Sequence, residues 1–163
     1  MLLCDVSGSM MQFSEFALRF IQSMNQVSDS SRVFLFSEGL HEADAFSMQN
    51  MDLFRTVVRQ SGLYGRGTDL GLALDKLTKL KPSPLTDSTT LLILSDTKTT
   101  GQRRAMQAME EAKRQGGKVI ILNPIPENKW KFLRSAQEFS NAVTMISCST
   151  LRDLAAACRK LTT

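Results

Sequence analysis

Short runs that are apolar at nearly every position recur along this chain, separated by longer stretches whose apolar residues fall at helical spacing. Met1-Leu2-Leu3-Cys4, Val33-Phe34-Leu35-Phe36, Thr90-Leu91-Leu92-Ile93-Leu94 and Val119-Ile120-Ile121-Leu122 are the clearest of these runs. A strand with one wet face alternates apolar and polar residues, so a strand apolar throughout must be covered on both faces. The intervening stretches supply the cover. Phe13, Phe16, Ala17, Phe20, Ile21 and Met24 form one helical stripe. Met51, Phe54, Val57 and Val58 form a second, and Leu70, Ala73, Leu74 and Leu77 a third, which stops before Pro82 and Pro84. Ala105, Met106, Met109 and Ala112 mark a helix closed by Gly116-Gly117. A shorter helix is expected over Glu127 to Glu138, and a closing one carries Leu151, Leu154, Ala155, Cys158 and Leu161.

Two weaker segments complete the pattern. Leu40 to Phe46, after the turn Ser37-Glu38-Gly39, alternates as an antiparallel edge strand does, and Ala142 to Ile146 reads as the last strand. The expected fold is therefore α/β and doubly wound. Its central sheet has about six strands, mostly parallel with one antiparallel edge strand, and helices lie on both faces. The 163 residues fit one domain, residues 1–163, and a 42% apolar content suffices for its core. The net charge of +4 is spread over several helices and makes no nucleic-acid stripe. No apolar run is long enough to span a membrane, and no secretory signal opens the chain. Cys4, Cys148 and Cys158 are widely spaced in apolar context, as buried free thiols are, which points to the cytoplasm.

Open parallel sheets bind ligands where loops leave the carboxyl ends of the strands. Three segments with oxygen-bearing side chains fall there. Asp5-Val6-Ser7-Gly8-Ser9 follows the first strand, with Gly8 expected to free the backbone for a tight turn. Thr68 ends the loop Gly62-Leu63-Tyr64-Gly65-Arg66-Gly67 at the start of the third helix, and Asp96 follows the fourth strand. Hydroxyls from Ser7, Ser9 and Thr68 with carboxylates from Asp5 and Asp96 form an all-oxygen set suited to a hard cation such as Mg²⁺. Asp5 and Asp96 bring two negative charges at most and either can act through a water, so the ion keeps room for one more ligand, and a carboxylate of another protein is a natural one.

These three segments, in this order, resemble the metal-ion-dependent adhesion site of von Willebrand factor type A (VWA) domains: Asp5-Val6-Ser7-Gly8-Ser9-Met10, Gly67-Thr68-Asp69-Leu70 and Leu94-Ser95-Asp96. Val33-Phe34-Leu35-Phe36-Ser37, Gly67-Thr68-Asp69 and Ile121-Leu122-Asn123-Pro124 resemble the CoxE-like branch. The resemblance implies the Rossmann-like VWA fold, a bound Mg²⁺ (or Mn²⁺ or Ca²⁺), and a protein partner supplying an Asp or Glu. It also implies work alongside an AAA+ ATPase that matures or remodels a target. Members often carry Asp-Gly where this chain has Asp96-Thr97, which implies a tighter backbone and a weaker metal here. Such domains usually have a longer first strand, whereas only four residues precede Asp5. An excised domain of a larger protein with additional N-terminal sequence is therefore implied.

Other readings stand beside this one. Asp5, Ser7 and Ser9 also suit a turn and helix cap. Asp69 is expected to cap its helix, with a role as hydrogen-bond acceptor behind the metal ligands as the alternative. The lone His41 lies in the edge strand, away from Ser7 and Ser9, so no Ser–His–Asp triad is expected. Gly65-Arg66-Gly67 follows no strand and lacks the final glycine of a dinucleotide fingerprint. Trp130 is expected to pack in its helix, while Tyr64 and Arg66 flank the loop as contact or solvated residues. Three functions follow: a metal-dependent binding module, a degenerate domain binding without metal, and a metal-dependent hydrolase. The last would need a general base beside the metal water, which no His or Lys is placed to be.

Overall fold

Because successive side chains on a strand point to opposite faces, each all-apolar run feeds two cores. In the computed structural model, which describes residues 1–27 and 31–162, this holds for all four. Leu2, Cys4, Val33, Leu35, Leu92, Leu94, Ile120 and Leu122 line one core, and Leu3, Phe34, Phe36, Leu91, Ile93, Val119 and Ile121 line the other. The strands are β1 (Leu2–Asp5), β2 (Val33–Phe36), β3 (Leu40–Ala43), β4 (Thr90–Leu94), β5 (Lys118–Asn123) and β6 (Thr144–Ser147). The helices are α1 (Ser14–Val27), α2 (Met51–Gln60), α3 (Leu70–Thr78), α4 (Gln102–Arg114), α5 (Arg134–Ala142) and α6 (Leu151–Thr162).

The six strands lie in the order β3-β2-β1-β4-β5-β6, parallel except for β3, which runs antiparallel to β2. Ala17, Leu18, Phe20 and Ile21 of α1, Phe54 and Val58 of α2, and Ala157 of α6 cover the first core. Leu70, Ala73, Leu74 and Leu77 of α3, Ala105, Ala108, Met109 and Ala112 of α4, and Phe139 of α5 cover the second. Each fully buried Leu, Ile or Phe side chain contributes about 1.5–3 kcal/mol relative to exposure. The side chains of Leu151, Leu154, Cys158 and Leu161, expected on the inner stripe of α6, lie outside the described residues. Cys4 and Cys148 are both buried.

The edge strand ends at Ala43 rather than Phe46. Asp44 stops it: its carboxylate accepts from the Phe46 N–H at 3.0 Å and starts a 3₁₀ turn over Ala45–Ser47, which leaves Phe46 exposed. The single helix expected over Glu127 to Glu138 is two elements, a 3₁₀ turn at Glu127–Phe132 and then α5, divided by an extended Leu133. Trp130 is the cause. Its ring is buried and its indole N–H donates to the Ile125 carbonyl at 2.9 Å, winding the segment tighter than an α-helix. Helix α5 then runs on to Ala142, so β6 starts two residues later than the expected Ala142. The glycine of the first loop is also corrected. Gly8 has no positive φ, and a Cβ there would meet nothing within 4 Å.

Gly71 is a glycine that helix packing requires. A Cβ at this position would lie 2.8 Å from the Ala105 backbone nitrogen and 3.0 Å from the Arg104 carbonyl carbon. Helices α3 and α4 approach closely because this position has no side chain. Gly71→Ala is expected to force them apart and cost about 1–3 kcal/mol, the usual range for overpacking. Gly8→Ala should leave stability nearly unchanged. Urea unfolding of both variants measures this, and equal midpoints would refute the close-packing account.

Candidate metal centre

The chain leaves β1 toward β2 on one side, whereas β4, β5 and β6 build outward on the other. The gap between the carboxyl ends of β1 and β4 is thus the switch point of the sheet. Asp5 is the last residue of β1, and Asp96 lies two residues beyond Leu94, the end of β4. Pairing Cys4 with Leu94 brings Ser95 alongside Asp5 in the next register position.

Asp5 is only 2% exposed, and both of its oxygens are bonded. The Ser7 N–H donates to Oδ1 at 3.0 Å, and the Ser95 hydroxyl donates to Oδ2 at 2.7 Å. The Ser7 and Ser9 hydroxyl oxygens are 3.4 Å apart, with Ser7 buried and Ser9 half-buried. These contacts fold the pentapeptide back over the strand end. Its outer side is tied to the glycine-rich loop by the Gly8 N–H, which donates to the Arg66 carbonyl at 3.2 Å.

Thr68 joins through its backbone. Its carbonyl accepts from the Thr100 N–H at 2.9 Å, the Thr100 hydroxyl at 3.1 Å and the Thr99 hydroxyl at 3.3 Å. The loop after β4 is thereby bound to the start of α3. Asp69 caps α3, accepting from the Leu72 N–H at 2.9 Å, and its other oxygen pairs with Arg104 of α4. This is the structural role expected of it.

Asp96 is fully buried. Its Oδ1 accepts from the Lys98 N–H at 3.0 Å, while its Oδ2 is buried without a hydrogen-bond donor among the described residues. The Lys98 ammonium stands 3.5 Å from that oxygen, too far for a charge-assisted hydrogen bond but within ion-pair range. Between them Thr97 has φ 65°, a left-handed conformation unusual for a β-branched residue. It is held there by its N–H, which donates to the Ser95 hydroxyl at 3.1 Å, and by its own hydroxyl, which donates to the Asp96 carbonyl at 2.6 Å. Holding a non-glycine residue in this region costs about 1–3 kcal/mol. A threonine therefore occupies here a conformation that glycine adopts without strain.

Burial pushes the Asp5 carboxyl up to about 6, against the hydrogen bonds from Ser7 and Ser95, which favour the ion; the charge of Asp96 adds to the rise. Two neighbouring buried carboxylates, one with an oxygen that has no hydrogen bond among the described residues, concentrate negative charge at this point. Among the described residues no three His, Cys, Asp or Glu side chains gather into a metal-binding group, so a cation here would depend on the hydroxyls. That donor chemistry, carboxylate and hydroxyl oxygen only, fits a hard divalent ion and gives a soft one no sulfur or nitrogen.

Ser95, within Leu94-Ser95-Asp96, is not singled out by residue pattern, and its signal is a hydroxyl one residue before a strand-end acid. Lys98, Thr99 and Thr100 carry no such signal. His41 is exposed on β3, and Tyr64 is half exposed with the Arg59 guanidinium 6.0 Å from its ring centre. A groove of about 510 Å³ between α1 and α2, lined by Glu15, Arg19, Asn50 and Arg55 among others, contains none of the five predicted ligands.

A family model for VWA domain containing CoxE-like proteins matches residues 1–157. The chain belongs to this family. Solved structures share the fold of this VWA domain. A von Willebrand factor type A protein from Catenulispora acidiphila is 14% identical, with a TM-score of 0.61, over 99% of this chain and 41% of that one. A manganese-loaded TRAP protein from Plasmodium vivax is 17% identical, with a TM-score of 0.56, over 75% of this chain and 55% of that one. Proximal thread matrix protein 1 from the mussel byssus, with a zinc-occupied MIDAS motif, is 12% identical, with a TM-score of 0.51, over 75% and 34%. The chain spans less than two thirds of the length of each of these. Comparison with curated proteins gives no match. Among the described residues no helix is long and apolar enough to cross a membrane.

The raised Asp5 carboxyl has a consequence for metal-free protein. Its native form holds a proton more tightly than the unfolded chain does, so its contribution to stability is full below the ordinary value of 3.8 and is lost as pH rises through about 6. Urea unfolding in chelator between pH 4 and 7 should show the wild type losing stability relative to Asp5→Asn across that window. Parallel curves for the two proteins would rule out the buried, proton-binding state of Asp5.

Proposed function

We propose that Asp5, Ser7, Ser9, Thr68 and Asp96 hold a divalent cation, Mg²⁺ in the first place, and that the loaded site binds a partner protein. The buried Asp96 Oδ2, without a hydrogen-bond donor beside the Asp5 carboxylate, is the observation that carries this reading. An orphaned buried acceptor costs about 1–3 kcal/mol, more when charged, and a cation removes that cost. Metal-loaded proteins of the same fold support the ion class, since manganese and zinc occupy two of them.

Within the chain each group has a part. Asp5 is oriented by Ser7 and Ser95, and Asp96 by the Lys98 backbone, so both acids are in place before an ion arrives. The hydroxyls of Ser7, Ser9 and Thr68 would add uncharged oxygens to the shell and leave a position open. When bound, the ion supplies a positive centre at the switch point that an Asp or Glu of a partner can ligate. Tyr64 and Arg66, on the loop bonded to Gly8, lie on the approach to that face.

The site binds rather than catalyses in this reading. The acid oxygen without a hydrogen bond, Asp96 Oδ2, faces the Lys98 ammonium, and the single histidine lies on the exposed edge strand, so among the described residues none at the site is poised as a general base. The CoxE-like resemblance suggests the partner class: an AAA+ ATPase in the cytoplasm, with this domain as the adaptor and a larger protein carrying it. A metal-independent surface is the second reading, favoured by the Lys98 ammonium already beside Asp96.

Titration calorimetry with Mg²⁺ and Mn²⁺ tests the first reading. Wild type is expected to bind, and Asp5→Ala to lose at least tenfold in affinity, about 1.4 kcal/mol. A protein partner recovered from lysate only in the absence of chelator would support the adaptor role. Equal recovery in both conditions would favour the metal-independent surface, and no heat of binding from wild type would reject the metal site.

A further inference from the structure

We propose that Lys98 is a tethered counter-ion of the site, which neutralises Asp96 when no divalent ion is bound and gives it up when one arrives. The proposal rests on the metal reading above and adds a control to it.

One residue addresses both oxygens of Asp96. The Lys98 N–H donates to Oδ1 at 3.0 Å, and the Lys98 ammonium stands 3.5 Å from Oδ2. Asp96 is fully buried, whereas the Lys98 side chain is 48% exposed. The ammonium therefore reaches in from solvent along a flexible stem and can withdraw along it. Its partner oxygen has no hydrogen bond, so the contact is one of charge alone. A nearby cation, Arg104, is paired with Asp69 and leaves that task to Lys98.

The backbone sets the placement. Thr97 in its left-handed conformation turns the chain back on itself, and the Ser95 and Thr97 hydroxyls hold the turn closed. Beyond it Thr99 and Thr100 bind the Thr68 carbonyl, so Lys98 is anchored on both sides and only its side chain is free to move. An ammonium carries one charge and loses stem entropy when it is held, so a divalent ion displaces it. The cost is a lower apparent affinity for the metal. For unit charges a few ångströms apart in the water-like dielectric that the half-exposed Lys98 ammonium meets, removing that competitor is worth roughly a factor of five to ten. Lys98 thus keeps two adjacent buried acids compatible with folding while the site is empty, and sets the ion concentration at which it fills.

The test uses the full chain, with magnesium chloride as the probe. Mg²⁺ affinity is measured by calorimetry for wild type, Lys98→Met, Lys98→Gln, Lys98→Arg and Lys118→Met. Lys118 is exposed at the start of β5, at the amino end of the parallel strands and away from the carboxyl ends that carry the site, and controls for net charge. Lys98→Met and Lys98→Gln are expected to bind Mg²⁺ about five- to tenfold more tightly than wild type. Lys98→Arg should stay near wild type, and Lys118→Met should match it. Thermal unfolding supplies a second readout. In chelator Lys98→Met should melt about 2–4 °C below wild type, and saturating Mg²⁺ should close the gap. Equal or weaker Mg²⁺ binding by both neutral variants overturns the counter-ion role and leaves the metal site standing. Uptake by neither wild type nor variants rejects the metal site, and this proposal with it.

Discussion

Two carboxylates, Asp5 and Asp96, are buried at the ends of adjacent parallel strands, and the surrounding structure is arranged to make that possible. Placing like charges together out of water is unfavourable unless each is hydrogen-bonded or matched by opposite charge. Asp5 is matched by two donors, one from its own loop and one from Ser95, 90 residues away. Asp96 is matched on one oxygen by a backbone N–H and on the other only by the Lys98 ammonium at 3.5 Å. This asymmetry locates the reactive point. Asp5 is structurally satisfied, while Asp96 keeps one oxygen in reserve.

The loops around these acids form a connected set. Gly8 is bonded to Arg66, Asp69 to Ser37, and Thr99 and Thr100 to Thr68. Each bond joins a segment that leaves a strand to the loop between α2 and α3, so the backbones that carry these residues are tied to one another. Such preorganisation suits binding, because the entropy of ordering the ligands is already lost in folding. Thr97 adds a second cost, since its left-handed backbone is tolerated only through the Ser95 and Asp96 bonds that close the turn. The strain sits next to the acid whose oxygen is held in reserve.

Much of the fold was legible in the sequence. The all-apolar runs at Leu2–Cys4, Val33–Phe36, Leu91–Leu94 and Val119–Leu122 required two covered faces, and the structure covers both. Local chemistry defeated the periodicity where a single side chain ended an element. Asp44 cut the edge strand at Ala43, and the buried Trp130 tightened the Glu127–Phe132 turn and separated it from α5. The site was legible in part. Asp5, Ser7, Ser9, Thr68 and Asp96 were nominated by residue type at strand ends and helix starts. Ser95 was not, because its bond to Asp5 exists only once β1 and β4 are in register.

Residue type and periodicity alone therefore determined the layer architecture and the sheet edge at which chemistry would gather. They did so because burial of an apolar strand and the position of a polar residue beyond its end are local properties of the chain. Which strands became neighbours was decided by tertiary structure. So were the reach of Ser95 to Asp5, the left-handed turn at Thr97, and the approach of the Lys98 ammonium to a buried oxygen. Each of these depends on a distance between segments far apart in sequence, or on a backbone angle that only surrounding contacts can hold. The opening pentapeptide was visible as a strand-end loop from its own residues, and the pairing of β1 with β4 is what set a second acid beside it.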